Sequence, residues 1–329
     1  MRVKVSVPSL LNSYDNLKDI LSSLETQSFS DFELDIIIPK NIDPKDEYLE
    51  LFDQYKGNIR IINQSSKGFE NAVNSAIQGN YDINISTDDD AILPMNHLSN
   101  VVKKLSNPRI GIITGRVNGK LPYLNRTLYL YFLSSFLSEK RDILNYKGAP
   151  VIYFNSTGFL TLNPFHTEGL FQKDFKTMSP IGVNMAWSKE SLANFHLLEF
   201  SRLGTLNEAY MSYHAFENGY DTIFSKELNV IHKVNVHSLS RQNTLYDDLT
   251  KFLEFFFSPH ILRKSHVFNK NLLSKVNFLT IPSKYKRLLE EILKTLESSK
   301  NQGWSDKEVK SAYDVLLNRV KSNYYSNLL

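Results

Sequence analysis

Short β-branched runs and stripes of helical period take turns along the first third of the chain. The run RVKVSV, residues 2–7, is extended, and Pro8 closes it. The segment YDNLKDILSSLETQ then sets Leu17, Ile20, Leu21 and Leu24 on one helical face. FELDIIIP and NIRIIN predict two more strands, and PKDEYLELFDQY between them opens on a proline suited to a first helical turn. After Lys67-Gly68, FENAVNSAIQ reads as a helix and YDINIST as a strand. A further helix is predicted from Pro94 through Leu105, and RIGIITG is a fifth strand. Strands separated by helices of this length predict a mostly parallel α/β sheet with helices on both faces. In such sheets ligands bind beyond the carboxyl ends of the strands.

The pattern changes twice further on. Residues 116–244 are irregular and aromatic, with loops such as YFNSTGFLTLNPFHTEG. From residue 245 to 329 the apolar period is helical again. Leu245, Leu249, Phe252, Leu253 and Phe256 form one stripe, and Leu288, Leu289, Ile292, Leu293 and Leu296 another. Ser305 with Glu308 three residues on is a capping-box signature. It opens a third helix whose apolar side is Val309, Ala312, Tyr313, Leu316, Leu317 and Val320. The expected organisation is 1–115, 116–244 and a helical C-terminal region, 245–329.

Composition narrows the function classes. With 42% hydrophobic and 22% charged residues, the chain can bury a sizeable core. It has no cysteine, which excludes disulfides, thiolate metal sites and a cysteine nucleophile. A net charge of +3 is too small for a bulk nucleic-acid binder. The opening MRVKVSVPSLL lacks the apolar stretch of a secretion signal, so a cytoplasmic protein is expected. The runs TLYLYFLSSFL and FLEFFF fall short of the roughly 20 residues that span a bilayer. The C-terminal region is the basic part, with 14 Lys and Arg against 9 Asp and Glu from Leu245 on. Its amphipathic helices suit packing on the rest of the chain, on a second subunit in a homo-oligomer, or on a membrane surface.

Asp88, Asp89 and Asp90 follow the strand YDINIST directly. On an exposed turn such a triplet is only a solvated acidic patch. At the carboxyl end of a sheet strand it is a candidate site for a hard cation, which takes one or two carboxylates and leaves positions for phosphate and water.

The surroundings of the triplet resemble the family-2 glycosyltransferases of GT-A (Rossmann-like) fold. The features that carry the resemblance are VSVPSLLNS at the end of the first strand, Lys67-Gly68 followed by Ala72 and Asn74, and Thr87-Asp88-Asp89-Asp90 with Pro94 beyond. It implies a nucleotide-diphosphate donor (UDP- or GDP-linked), Mn²⁺ or Mg²⁺, and donor contacts from Pro8, Ser9, Lys67 and Gly68. Asp88 would touch the ribose and Asp89 the metal, with Asp90 supporting that ligand from behind or serving as an alternative one. Where the family places a base-reading aspartate this chain has Pro39-Lys40-Asn41, leaving Asn41 as the candidate base contact.

A second stretch, LGTLNEAYMSYHAFENGYDTIF, resembles the family's acid-bearing helix and aligns Glu208 with the catalytic base. The plain alternative is an acid favoured by the helix dipole. His232, in VIHKVNVHS, matches a histidine that completes the metal or diphosphate site, with His237 and Arg241 as further candidates. SPIGVNMAW resembles the acceptor-side strand, with Asn184 and Trp187 as candidate acceptor contacts, although an aromatic there also suits the core. The implied reaction is inverting, metal-dependent hexosyl transfer to the hydroxyl of a glycan, lipid-linked or protein acceptor. Two rivals stay open. A sugar-nucleotide nucleotidyltransferase should carry a glycine-rich basic loop after the first strand, and PSLLNSYDN has none. A degenerate binding module would retain the fold without the chemistry.

Overall fold

The computed structural model describes residues 1–65, 68–118, 149–155, 158–163, 173–197, 203–233, 245–261 and 283–326. The chain divides into two compact units. One comprises Met1–Pro122, Thr167–Glu199 and Asn207–Asn235; the other comprises Tyr123–His166, Phe200–Leu206 and Val236–Leu329.

The first unit is built on one sheet. β1 (Val3–Pro8), β2 (Glu33–Ile38), β3 (Ile59–Asn63) and β4 (Ile83–Ser86) lie in the order β3-β2-β1-β4, all parallel. The helices between them are α1 (Tyr14–Glu25), α2 (Asp46–Gln54) and α3 (Phe69–Ile77). Ser13 caps α1 by accepting the Asn16 amide. Leu17, Ile20, Leu21 and Leu24 of α1 are buried, as their spacing predicts. They join Val3, Val5, Val7, Leu34, Ile36, Ile83 and Ile85 in one core, which removes the apolar faces of strands and helices from water together.

Beyond β4 the sheet is less regular. A two-residue strand, β5 (Ala91–Ile92), precedes α4 (His97–Leu105). The helix starts three residues later than Pro94, whose carbonyl accepts the His97 amide at 2.8 Å. β6 (Ile110–Val117) is separated from β4 by an inserted strand, β10 (Met185–Ser188), antiparallel to both. β11 (Asp221–His232) runs parallel to β6, then pairs antiparallel with β5 at its end and with β9 (Phe175–Lys176) near its start. α5 (Asn207–Glu217) leads into β11 through Gly219, whose φ of +85° suits glycine. The sheet is therefore parallel in its first half and mixed in its second.

The second unit holds a small antiparallel hairpin, β7 (Ile152–Phe154) and β8 (Leu160–Leu162), and the helices α6 (Leu245–Ile261), α7 (Ser283–Gln302) and α8 (Asp306–Ser326). Most of each stripe read from the sequence is interior here. Leu249, Phe252, Leu253 and Phe256 of α6 are buried, as are Leu289, Ile292, Leu293 and Leu296 of α7. Ser305 and Glu308 make the reciprocal cap of α8: the Ser305 amide donates to Glu308 at 2.6 Å and the Glu308 amide to Ser305 Oγ at 3.4 Å. Glu254, 1% exposed, accepts from the amides of Leu203 and Thr205 and from the Tyr313 hydroxyl. That burial is tolerable because three donors satisfy the carboxylate. Among the described residues, no helix is long and apolar enough to cross a membrane.

Candidate active site

β4 ends at Ser86, and the chain turns through the aspartates, with the Ala91 amide donating to Asp88 O at 3.2 Å. The three carboxylates do not share one partner, yet Asp89 still feels the charge of Asp90. Asp89 Oδ2 accepts from Ser9 Oγ at 2.6 Å. Burial raises the Asp89 pKa, and the Ser9 hydrogen bond opposes that rise. Asp88 and Asp90 instead meet His232. Its Nε2 lies 2.8 Å from Asp90 Oδ1 and 3.5 Å from Asp88 Oδ2. One donor atom from each of these three residues fits within 4.8 Å, a set that could hold a metal ion. Asp90 is buried while the Asp88 side chain is 42% exposed, so the cluster opens to solvent on one side only.

β5 is what brings His232 here. Ala91 and Ile92 pair antiparallel with His232 and Ile231, so the residue after Asp90 lies beside His232. The Lys233 amide adds a bond to Asp90 O at 2.9 Å, and the Lys233 ammonium pairs with Asp19 of α1. On its other side the His232 backbone meets Asn118, just past the end of β6.

Glu208 stands in the first turn of α5 and extends over Gly182. A Cβ placed on Gly182 would lie 2.5 Å from Glu208 Oε1, so only a glycine leaves room for the carboxyl in this position. Burial pushes the Glu208 pKa up to about 7, and the charge of Asp88 adds to the rise, while a backbone hydrogen bond opposes it. Gly182 is held in a tight turn from Ile181 to Asn184. The Asn184 amide donates to Ile181 O, Thr114 Oγ1 bonds both Ile181 N and Asn184 O, and Thr87 Oγ1 donates to Val183 O at 3.0 Å. Thr87 thus ties the turn that bears Gly182 to the strand that leads into the aspartates.

The other candidates divide by position. Asn184, 2% exposed, donates its side-chain amide to Arg116 O, and Trp187, 1% exposed, lies in β10 between β4 and β6. Both are interior, so neither offers a surface to an acceptor. Pro8 and Ser9 stand at the carboxyl end of β1, where Ser9 Oγ orients Asp89 and accepts the Leu11 amide. Asn41 is exposed on the turn after β2, closed by Ile42 N on Pro39 O. Gly68 precedes α3. Asn74 of that helix is buried and exchanges two hydrogen bonds with the backbone of Leu197, a structural task. Lys67, His237 and Arg241 lie outside the described residues. Gly182 and Asn118 escape a sequence reading: one acts by lacking a side chain, and the other is an ordinary polar residue at a strand end.

A parallel β3-β2-β1-β4 half-sheet with carboxylates at its carboxyl edge, extended by an antiparallel insertion, is the fold of GT-A glycosyltransferases. The chain belongs to glycosyl transferase family 2, whose pattern matches residues 7–194, more than half of its length. No curated protein matches the sequence. Among solved structures its fold is similar to that of S. aureus TarS 1-349 in complex with UDP-GlcNAc, at 12% identity and TM-score 0.53, covering 99% of this chain and 92% of that one. It is also similar to the mannosyltransferase PcManGT from Pyrobaculum calidifontis in complex with GDP-Man and Mn²⁺. That match has 13% identity and TM-score 0.50 and covers 98% of this chain and 75% of that one. A longer S. aureus TarS chain matches at 13% identity and TM-score 0.50, with 54% of its length covered.

Proposed function

We propose that this glycosyltransferase moves a sugar from a nucleotide-diphosphate donor to an acceptor hydroxyl with inversion, using a divalent cation. The observation that carries this reading is the convergence of Asp88, Asp90 and His232 beside Glu208, whose pKa feels the Asp88 charge. Two carboxylate oxygens with one imidazole nitrogen suit Mn²⁺ better than Mg²⁺, which keeps mostly to oxygen. The chemistry a cation supplies there is neutralisation of the charge on the departing diphosphate. Asp89, fixed by Ser9, is the ribose or outer-sphere candidate, and Asn41 and Gly68 are the candidate donor contacts with Pro8 and Ser9.

Glu208 supplies the proton chemistry. Ionised, it takes the proton of the acceptor hydroxyl as that oxygen attacks the anomeric carbon, and the bond to the donor phosphate breaks with its electron pair leaving on the diphosphate. One base and one displacement invert the anomeric centre. A pKa near 7 suits this task, because the carboxylate is both substantially ionised and basic at neutral pH.

The test is a donor panel of UDP- and GDP-sugars, the two nucleotide classes held by the neighbouring structures, with Mn²⁺ present. Glu208→Gln keeps size and polarity but cannot take the proton. Turnover, or donor hydrolysis as its proxy, should fall about 10²–10⁴-fold with nucleotide affinity retained. Near-normal turnover in the variant would remove Glu208 as base, and a retained anomeric configuration in the product would remove the single displacement.

A further inference from the structure

His232 is the last residue of β11. β6, its parallel neighbour, ends one step too early to hold it, at Val117 paired with Val230. Asn118 completes the missing rung with its side chain. Its Oδ1 accepts the His232 amide at 2.8 Å, and its Nδ2 donates to the His232 carbonyl at 3.0 Å. The Asn118 amide meanwhile donates to Val230 O at 2.8 Å, so three bonds tie this residue to the end of β11. Its backbone has a φ of +52°, and its side chain bonds the His232 backbone. Asparagine tolerates that conformation better than most residues and carries a donor and an acceptor side by side. Aspartate would lack the donor, and alanine would lack both.

On the opposite edge, His232 pairs with Ala91 of β5. Both sides of its backbone are therefore fixed, and the imidazole leaves that fixed point toward Asp88 and Asp90. We propose that Asn118 is a positioning residue for the metal site, holding His232 at ligating distance from the two aspartates by acting as an extra strand residue. This rests on the reading of His232 as a ligand. Partners that orient a ligating histidine ordinarily govern affinity by about 10–100-fold, and a clamp on the backbone belongs at the low end of that range.

The experiment titrates Mn²⁺ alone into the full-length chain by calorimetry, for wild type, His232→Ala, Asn118→Gly and Asn118→Ala. Asn118→Gly keeps the positive φ without strain and removes the amide; Asn118→Ala removes the amide and adds strain. Both should weaken Mn²⁺ binding about tenfold, with the Gly variant melting near the wild-type temperature. Pulsed electron paramagnetic resonance of bound Mn²⁺ should show imidazole nitrogen in wild type, a diminished signal in Asn118→Gly and none in His232→Ala. If His232→Ala loses affinity and the nitrogen signal but Asn118→Gly matches wild type in both, Asn118 positions nothing and the ligand reading stands. If His232→Ala also matches wild type, the ligand reading fails and takes the role of Asn118 with it.

Discussion

At the residue scale the proposed base is a carboxyl whose surroundings bring its pKa to about 7. Glu208 is raised to about 7 chiefly by burial, so as a base it gains activity with rising pH through about 7 and levels off above. A rate profile of the wild type should show that inflection, and Glu208→Gln should lack it. The carboxyl also needs the space that Gly182 leaves. The turn bearing Gly182 is tied at Thr87 and Thr114, so an added methyl displaces the freer partner, the Glu208 side chain. Gly182→Ala should therefore fold normally and lose about 10–100-fold in turnover, the scale of a misplacement near 1 Å. Glu208→Asp, one methylene shorter, should recover part of the loss in that background. Steady-state kinetics with melting curves decide it, and a Gly182→Ala protein of normal rate would show that the glycine is there for the turn alone.

At the element scale α4 contains a buried histidine with a measurable consequence. His97 is 4% exposed in the first turn of the helix, and its Nδ1 has no hydrogen-bond partner among the described residues. Burial lowers its pKa to about 4, against a smaller opposing contribution from the Asn229 backbone. The unfolded chain takes up this proton near pH 6.5 and the folded chain only near 4, so the stability is whole above pH 6.5 and is lost as pH falls toward 4. The loss amounts to about 3 kcal/mol at most. His97→Leu should flatten that dependence in urea titrations at pH 7 and pH 5; an equal slope in the variant would put the acid sensitivity elsewhere. The long elements, β1 to α4 and β6, are legible in the sequence because each carries a full period of apolar positions. β5 is not, since Ala91 and Ile92 are too few to show a period, yet its pairing with Ile231 and His232 is what brings the histidine to Asp88 and Asp90. The aspartate triplet is legible as a unit, but not which of its members turn together. That depends on Ser9, just past the end of the neighbouring β1, holding Asp89 by a hydrogen bond. The insertion of β10 between β4 and β6 is likewise a matter of long-range pairing that no local pattern states.

At the scale of the whole molecule, the first unit holds the candidate site, and the second has a hydrophobic interior of its own residues. Phe159, between the strands of the β7–β8 hairpin, lies 5.2 Å from the Phe256 ring of α6, and both are fully buried. Removing residues 245–329 should uncover the hairpin's apolar face and give an aggregating protein, as light scattering would show. A soluble, fully active truncation would make α6 to α8 dispensable. On the proposed function, Asp88, Asp90 and His232 hold a cation that in turn holds the nucleotide diphosphate. Calorimetry of UDP and GDP, with Mn²⁺ and with a chelator, on wild type and Asp90→Asn tests it directly. At least one nucleotide should bind wild type only with Mn²⁺, and Asp90→Asn should weaken this binding tenfold or more, about 1.4 kcal/mol. Equal affinity in the chelator, or an Asp90→Asn protein with unchanged Mn²⁺ dependence, would contradict it.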